Sequence, residues 1–169
     1  MLGGSCVGRA CSQDRAQKRR AASARPVRCD TSLSVFVDTS VWFGAANVRD
    51  RQNARAKKIL IDLAAPVLTD HVLIETWTLL NVRLHRKAAD QFWLGVRRGA
   101  ARLEKVLAVD LDAAWAIGEA FPDQDFSIVD RTSFAVMERL GLARAASFDD
   151  HFSIYRFGRN RDRAFEILR

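Results

Sequence analysis

Short runs of β-forming residues alternate along the chain with longer segments in which apolar residues recur at helical spacing. The runs predict strands at 33–37, 66–69, 105–109, 144–146 and 165–168. The periodic segments predict helices at 41–46, 49–64, 70–84, 87–98, 110–121 and 127–140. Strands that alternate with helices in this way indicate a parallel sheet with helices on both faces, and therefore an α/β fold.

The first 32 residues lack this periodicity and are rich in Arg, Ala, Ser and Gly. Such a composition buries too little apolar surface to offset the entropy of ordering, so it predicts a disordered basic leader. The folded domain is expected at 33–169. A transit peptide also fits an Arg-rich, acid-poor leader, but a flexible tail, or a translation start upstream of the true domain, is favoured.

The net charge of +7 is concentrated in this leader, which contains seven Lys and Arg residues and two acidic residues. The remaining 137 residues carry 20 basic and 18 acidic groups. Binding of a polyanion by the folded domain must therefore depend on local patches. No run of about 18 apolar residues occurs, so no membrane span is predicted.

All three cysteines, Cys6, Cys11 and Cys29, lie in the leader. The odd count and the absence of a CxxC pair indicate neither a disulfide framework nor a zinc site, and a reducing compartment is expected. The chain contains no GxGxxG or GxxxxGK[ST] motif, which argues against a nucleotide-binding regulator.

An acid closes the first predicted strand. Asp38 directly follows this apolar run, and open α/β sheets place their ligand sites at the carboxyl ends of strands. A carboxylate at that position is costly unless something compensates it. The alternative is that Asp38 caps the next helix, although Thr39 or Ser40 could serve equally well.

A second acid interrupts an apolar helix. Glu75 shares a helix face with Val72 and Leu79. A buried charge needs a partner or a metal ion. A salt bridge to Arg83 or Arg86 is the alternative explanation.

Asp130 is a third acid on an apolar face, beside Phe126 and Phe134. Its alternative role is structural, because Ser127 and Asp130 fit the S-x-x-[DE] capping box.

Asp149 and Asp150 follow the fourth predicted strand. Asp149 could instead cap the turn at 150–155, or Ser147 could form a second capping box with Asp150. Asp125, just before the helix of Asp130, is either an accessory acid or a loop residue.

Taken together, Asp38, Glu75, Asp130 and Asp149 predict a shared site. Four neighbouring carboxylates repel one another and raise each other's pKa, so they stay ionised only around a cation. Oxygen ligands select Mg²⁺ or Mn²⁺ rather than zinc. Such a site, without a nucleophilic Ser or Cys, suits metal-assisted hydrolysis of phosphodiesters.

The three histidines show no metal-ligand spacing. His71 and His85 are interpreted as surface or capping residues, and His151 as a candidate contact to substrate.

These acids stand in four segments that resemble the PIN-domain nucleases, specifically the VapC-type toxins of bacterial toxin–antitoxin pairs. The segments are 35–40, 71–80, 126–137 and 146–152, within a likeness that covers about 34–157. In this resemblance Asp38 matches the first-strand acid and Glu75 the helix acid. Asp130 matches the acid of the S-x-x-D helix, which with Asp38 commonly holds Mg²⁺. Asp149 matches the acid of the [TS]-x-D-x-x-F segment.

The resemblance also implies supporting positions around the metal. Thr39 or Ser40 would assist through hydroxyl or water contacts, and Asp125 and Asp150 would be accessory acids. Ser147 stands where the family more often has Thr, which keeps the hydroxyl.

The resemblance implies a three-layer α/β/α PIN-like fold with a central, mainly parallel sheet, and a homodimer. It implies a cytoplasmic bacterial endoribonuclease that uses Mg²⁺, or Mn²⁺, to cut loops of structured RNA, either tRNA or rRNA. A VapB-like antitoxin would inhibit it by inserting a segment, often with an Arg, into the acidic site. The alternative is a catalytically inactive PIN-like domain that binds RNA or protein and retains the acids as caps.

Basic residues around the site are candidates for phosphate contacts, although most are expected to be solvated charges. They are Arg83, Arg86, Lys87, Arg97, Arg98, Arg156, Arg159 and the other basic residues of 156–163. Trp42 and Trp77 are more readily explained as core or dimer-interface residues than as platforms for bases.

Overall fold

Strands and helices alternate throughout residues 33–169, the part of the chain that the computed structural model describes. The strands are β1 (Ser34–Val37), β2 (Ala65–Thr69), β3 (Arg102–Glu104), β4 (Arg144–Ala146) and β5 (Glu166–Leu168). The helices are α1 (Thr39–Ala46), α2 (Asn53–Asp62), α3 (Asp70–Arg83), α4 (Arg86–Arg97), α5 (Ala108–Ala120), α6 (Ile128–Leu140) and α7 (His151–Ile154). The expected disordered leader and its cysteines lie outside the described residues.

The five strands form one sheet in the order β3-β2-β1-β4-β5, and every neighbouring pair is parallel. The chain moves outward from β1 to β3, then crosses to β4 and moves outward again to β5. Parallel connections are right-handed, so this reversal sends the helices before and after it to opposite faces of the sheet. The reversal also opens a crevice between the carboxyl ends of β1 and β4.

Aromatic packing fixes the elements around this crevice. Phe36 of β1, Phe134 of α6 and Phe152 of α7 are all fully buried. The ring of Phe152 stacks on Phe36 at 5.9 Å and meets the edge of Phe134 at 5.0 Å. Each such ring contributes about 1.5–3 kcal/mol through burial. The core therefore holds the helix of Asp130 and the segment after β4 against the first strand.

Two predicted boundaries in the middle of the chain are wrong. The third strand lies at Arg102–Glu104 rather than at 105–109, and α5 already begins at Ala108. Asp110 does not precede the helix as its cap. It lies in the first turn, where its Oδ2 accepts the backbone N–H of Leu107 at 2.8 Å. This hydrogen bond starts a helix among β-branched and aliphatic residues that read locally as a strand.

The second helix is also shorter than predicted. It spans Asn53–Asp62 rather than 49–64. The carboxylate of Asp50 accepts the backbone N–H of Gln52 at 2.8 Å, which forms a turn before the helix. At the far end of α6, Gly141 adopts the left-handed conformation with φ 66°, as its position after the helix predicts.

Among residues 33–169, no helix is both long enough and apolar enough to cross a membrane.

Candidate active site

Asp38 lies where the strand order reverses. Its backbone N–H continues the β1–β4 ladder by donating to the carbonyl of Ala146 at 3.0 Å. Its Oδ2 accepts the backbone N–H of Ser40 at 3.1 Å and the Ser40 hydroxyl at 2.6 Å. The hydroxyl of Ser147, after β4, donates to the same oxygen at 3.1 Å. Asp38 therefore caps α1 and also joins the ends of the two central strands.

Glu75 reaches the same region from the second turn of α3. Its Oε2 accepts a hydrogen bond from the hydroxyl of Thr39, the residue after Asp38. The buried hydroxyl of Thr76 donates in turn to Thr39 Oγ1 at 3.3 Å. This short chain of hydroxyls holds the carboxylate of Glu75 beside the start of α1.

Asp130 forms the capping box that its sequence allows. Its Oδ2 accepts the backbone N–H of Ser127 at 2.8 Å, and its own N–H donates to Ser127 Oγ at 3.0 Å. The structural alternative is thus correct, but it does not exclude a role in the site. The same Oδ2 lies 3.0 Å from Nδ1 of His151, which follows β4.

Asp149 completes the arrangement. Its N–H donates to Ser147 Oγ at 2.9 Å, and its Oδ1 accepts the N–H of His151 at 3.0 Å. Ligand atoms of Asp130, Asp149 and His151 all lie within 4.8 Å of one another. Within the described chain, no other group of three or more Asp, Glu, His or Cys residues meets this distance.

In each of the four acids, one carboxylate oxygen accepts hydrogen bonds from the described residues and the other accepts none. The fixed atoms are Oδ2 of Asp38, Oε2 of Glu75, Oδ2 of Asp130 and Oδ1 of Asp149. Their second oxygens accept no hydrogen bond from residues 33–169. Side chains that are positioned through one oxygen can use the other to bind a ligand.

The electrostatics of two of the acids favour a bound cation. Burial, with a further contribution from the charge of Asp130, raises the pKa of Asp38 to about 6. Burial and the charges of Asp130 and Asp149 likewise raise the pKa of Glu75. Throughout the described residues, no Lys or Arg forms an ion pair with any of the four; only His151 approaches two of them. Buried carboxylates without a cationic partner suit a bound metal ion.

The donor set is compatible with Mg²⁺ or Mn²⁺. The available atoms are carboxylate oxygens, which hard divalent cations prefer. His151 adds a nitrogen, which Mn²⁺ accepts more readily than Mg²⁺. Within the described residues, Asp130, Asp149 and His151 are close enough to share one ion, and Asp38 and Glu75 are not part of that group.

Two predicted supporting residues, Asp150 and Asp125, form no hydrogen bond or ion pair with the four acids within the described chain. Asp150 is exposed, and its Oδ1 accepts a hydrogen bond from Arg169 at 2.6 Å, so the structure does not bring it into contact with the four acids. Asp125 is exposed and accepts no hydrogen bond within the described chain. Thr39, Ser40 and Ser147 do contact the acids, through hydroxyl groups.

The alternative explanation of Glu75, a salt bridge to Arg83 or Arg86, is wrong: within the described chain neither arginine pairs with Glu75, and Arg86 pairs with Asp90 at 3.1 Å. Trp77 donates to the same Asp90 and has Arg86 over its ring at 5.6 Å. These exposed groups stabilise the junction between α3 and α4. Trp42 is buried, as expected of a core residue.

Arg156 also has a structural contact. Its guanidinium donates to the carbonyls of Ser153, Ile154 and Tyr155 at the end of α7. Arg159 is exposed without a side-chain partner among residues 33–169.

Sequence reasoning undervalued His151. Nothing in its spacing marks it as a partner of Asp130, because 21 residues separate the two. The available signal was its position two residues after Asp149, at the start of a turn that closes over the sheet edge. Its ring also lies against Phe126 at 5.3 Å, which holds its orientation.

These features define the class of the protein. The PIN domain family model matches residues 35–158, and the chain belongs to that family. Two curated relatives, from Mycobacterium tuberculosis strains CDC 1551 and H37Rv, carry the name 23S rRNA-specific endonuclease VapC20. Each is 40% identical over 126 residues, which cover 70% of this chain and 92% of the relative.

A solved structure supports the same assignment. The crystal structure of M. tuberculosis VapC20, described as a sarcin-ricin loop cleaving toxin, superposes with a TM-score of 0.67 at 37% identity. The match covers 70% of this chain and 92% of that one. The predictions of a VapC-type PIN-domain ribonuclease and of a three-layer α/β/α fold are confirmed.

Proposed function

We propose that this protein is a Mg²⁺-dependent endoribonuclease toxin that cuts a loop of 23S rRNA. One observation carries the proposal: four carboxylates surround the switch point of the sheet, each with one oxygen held and one available. The names of the relatives favour rRNA over tRNA as the substrate. A ribosomal substrate places the activity in the bacterial cytoplasm.

In this proposal Asp38, Asp130 and Asp149 hold the metal, and Glu75 assists from α3. When bound, the metal supplies an activated water nucleophile and neutralises charge on the scissile phosphate. The protein supplies the positioning: Ser40 and Ser147 orient Asp38, and Ser127 orients Asp130. His151 lies against Asp130 and Asp149, where it can contact the phosphate of the substrate.

The acidic site also supports inhibition by an antitoxin. A VapB-like partner would insert a cationic side chain among carboxylates that have no Lys or Arg partner within the described chain. A homodimer is supported by apolar side chains that α3 and α4 expose to solvent. They are Ile74, Val82, Trp93 and Leu94, between 41% and 72% exposed.

Cleavage of a synthetic sarcin-ricin hairpin with Mg²⁺ tests the proposal. Asp130→Asn keeps an oxygen for the Ser127 N–H but removes a metal-binding charge, so kcat is expected to fall by at least about 100-fold. Asp150→Asn is the matched control, since it removes an exposed carboxylate that pairs with Arg169. It is expected to cleave like the parent.

Equal cleavage by Asp130→Asn and the parent would refute the carboxylate site. A parent that binds the hairpin without cutting it would support the inactive RNA-binding alternative. Cleavage of tRNA but not of the hairpin would retain the enzyme class and change the substrate.

A further inference from the structure

A groove of about 1050 Å³ shares no lining residue with the acidic site and plays no part in holding the carboxylates. One wall is the end of α1 with the loop that follows it. The other is the junction between α3 and α4, and the floor lies between them. The groove is thus formed by α1, by the last residue of α3 and by the first half of α4.

The lining of the groove is cationic. Arg49, Arg83 and Lys87 contribute to it, and no Asp or Glu does. Within residues 33–169, none of these three side chains forms an ion pair. At the junction between α3 and α4, three side chains are exposed: Arg83, His85 and Lys87. A concave surface with this charge attracts a polyanion, although residues 33–169 are nearly neutral overall.

The remaining lining suits a nucleotide. Trp42 and Phe92 pack with ring centroids 5.5 Å apart, and the Trp42 indole N–H donates to the Val37 carbonyl at 3.2 Å, so this aromatic floor is rigid. Asn47 and Gln91 add side-chain amides, which pair with base edges and ribose hydroxyls. Cations for phosphate and amides for bases are the combination that RNA recognition uses.

Helix geometry places the groove at a definite distance from the acids. Thr39, the first residue of α1, donates to Glu75 in the second turn of α3, so the two helices meet at this carboxylate. The eight residues of α1 extend about 12 Å, at 1.5 Å per residue. On α3, the eight steps from Glu75 to Arg83 give the same length, about 12 Å. A few nucleotides of extended strand span this distance.

We infer that this groove binds the RNA strand a few nucleotides away from the cleaved phosphodiester, through Arg83, Lys87 and Arg49. The inference rests on the proposed ribonuclease function and specifies where the substrate leaves the acidic site. It concerns substrate binding rather than the chemical step.

The test is a charge-neutralised variant of the full protein, Arg83→Gln with Lys87→Gln. Its matched control is Lys57→Gln with Lys58→Gln, which removes two exposed cations of α2 that do not line the groove. Affinity for the sarcin-ricin hairpin is measured by fluorescence anisotropy over a range of salt, and cleavage kinetics are measured with Mg²⁺. Thermal melts confirm that all proteins are folded.

The groove variant is expected to lose about tenfold in affinity and in 1/KM, with kcat unchanged. The slope of log affinity against log salt concentration is expected to become shallower by about 2, one for each phosphate contact removed. The control is expected to retain the slope and KM of the parent. Equal losses in both variants, or none in the groove variant, would overturn the inference.

The two proposals fail in different ways. If the parent cleaves the hairpin and the groove variant has the same KM, only the groove assignment is wrong. If the parent binds the hairpin through the groove but does not cleave it, only the nuclease function is wrong. A parent that neither binds nor cleaves RNA refutes both. A groove variant that loses affinity only for an acidic protein segment would assign the groove to a protein partner.

Discussion

The Oδ2 atom of Asp38 lies 3.1 Å from the hydroxyl of Ser147, across 109 residues of sequence. This hydrogen bond joins the carboxyl ends of β1 and β4, the two parallel strands between which the strand order reverses. Ser147 also accepts the N–H of Asp149 at 2.9 Å. One buried hydroxyl therefore orients two of the four acids.

Replacing this hydroxyl should weaken metal binding. Ser147→Ala removes the hydrogen bonds to Asp38 and Asp149, so Mn²⁺ affinity measured by calorimetry is expected to fall by about 10–100-fold. The free energy of unfolding should decrease by about 1–2 kcal/mol, because buried polar groups lose their partner. Ser147→Thr retains the hydroxyl and should restore most of the affinity. Unchanged affinity in Ser147→Ala would mean that the hydroxyl does not position the acids.

The raised pKa of Asp38 predicts a pH-dependent stability of the metal-free protein. Its pKa is about 6 in the folded chain against 3.8 ordinarily, so folding favours the protonated form. The raised pKa lowers the free energy of unfolding. This loss is absent below about pH 4, grows as the pH rises to about 6, and above pH 6 amounts to about 3 kcal/mol.

Asp38→Asn should remove that cost while keeping the cap on α1. In EDTA, the variant is expected to melt higher than the parent at pH 8, and the difference should shrink towards pH 4. A variant that is less stable than the parent by the same amount at both pH values would indicate a purely structural cap.

Divalent metal should stabilise the fold in proportion to its binding. A ligand at 100 times its dissociation constant adds about 2.7 kcal/mol to the free energy of unfolding. Added Mg²⁺ or Mn²⁺ is therefore expected to raise the melting temperature of the parent and of Asp150→Asn. Asp130→Asn should respond weakly. Identical shifts in Asp130→Asn and the parent would place the metal elsewhere.

Asp110 and Arg139 form an ion pair in which the Asp110 side chain is almost fully buried. Burial would raise the pKa of Asp110, but hydrogen bonds from Arg139, at 2.7 and 3.0 Å, lower it. Arg139→Met leaves a buried carboxylate unpaired and should cost about 3 kcal/mol at neutral pH in urea unfolding. The loss should diminish at acidic pH, where Asp110 is protonated without the pair.

The control for this pair is Arg86→Met, which disrupts the exposed pair with Asp90 and should cost at most about 1 kcal/mol. Both variants should keep the kcat of the folded enzyme. A selective loss of kcat in Arg139→Met would connect this pair to the acidic site.

The order of strands and helices and the four acids could be read from the sequence. Hydrophobic periodicity is a local pattern. An acid beside an apolar run carries a desolvation cost, so it indicates a functional or paired residue from the sequence alone. The third strand was placed wrongly because Val106, Leu107 and Val109 favour a strand locally. The carboxylate of Asp110 overrides that preference by starting a helix.

Only the tertiary structure decided how the acids are used. Glu75 accepts a hydrogen bond from Thr39 and not from an arginine. Asp150 accepts one from Arg169, and Nδ1 of His151 lies within hydrogen-bond distance of Asp130. These contacts join residues far apart in sequence, and their geometry depends on packing around Phe36, Phe134 and Phe152. The sequence by itself determined which carboxylates are present and on which elements. The fold decided which oxygen of each carboxylate accepts a hydrogen bond and which stays free, because the hydrogen-bond partners come together only in the folded chain.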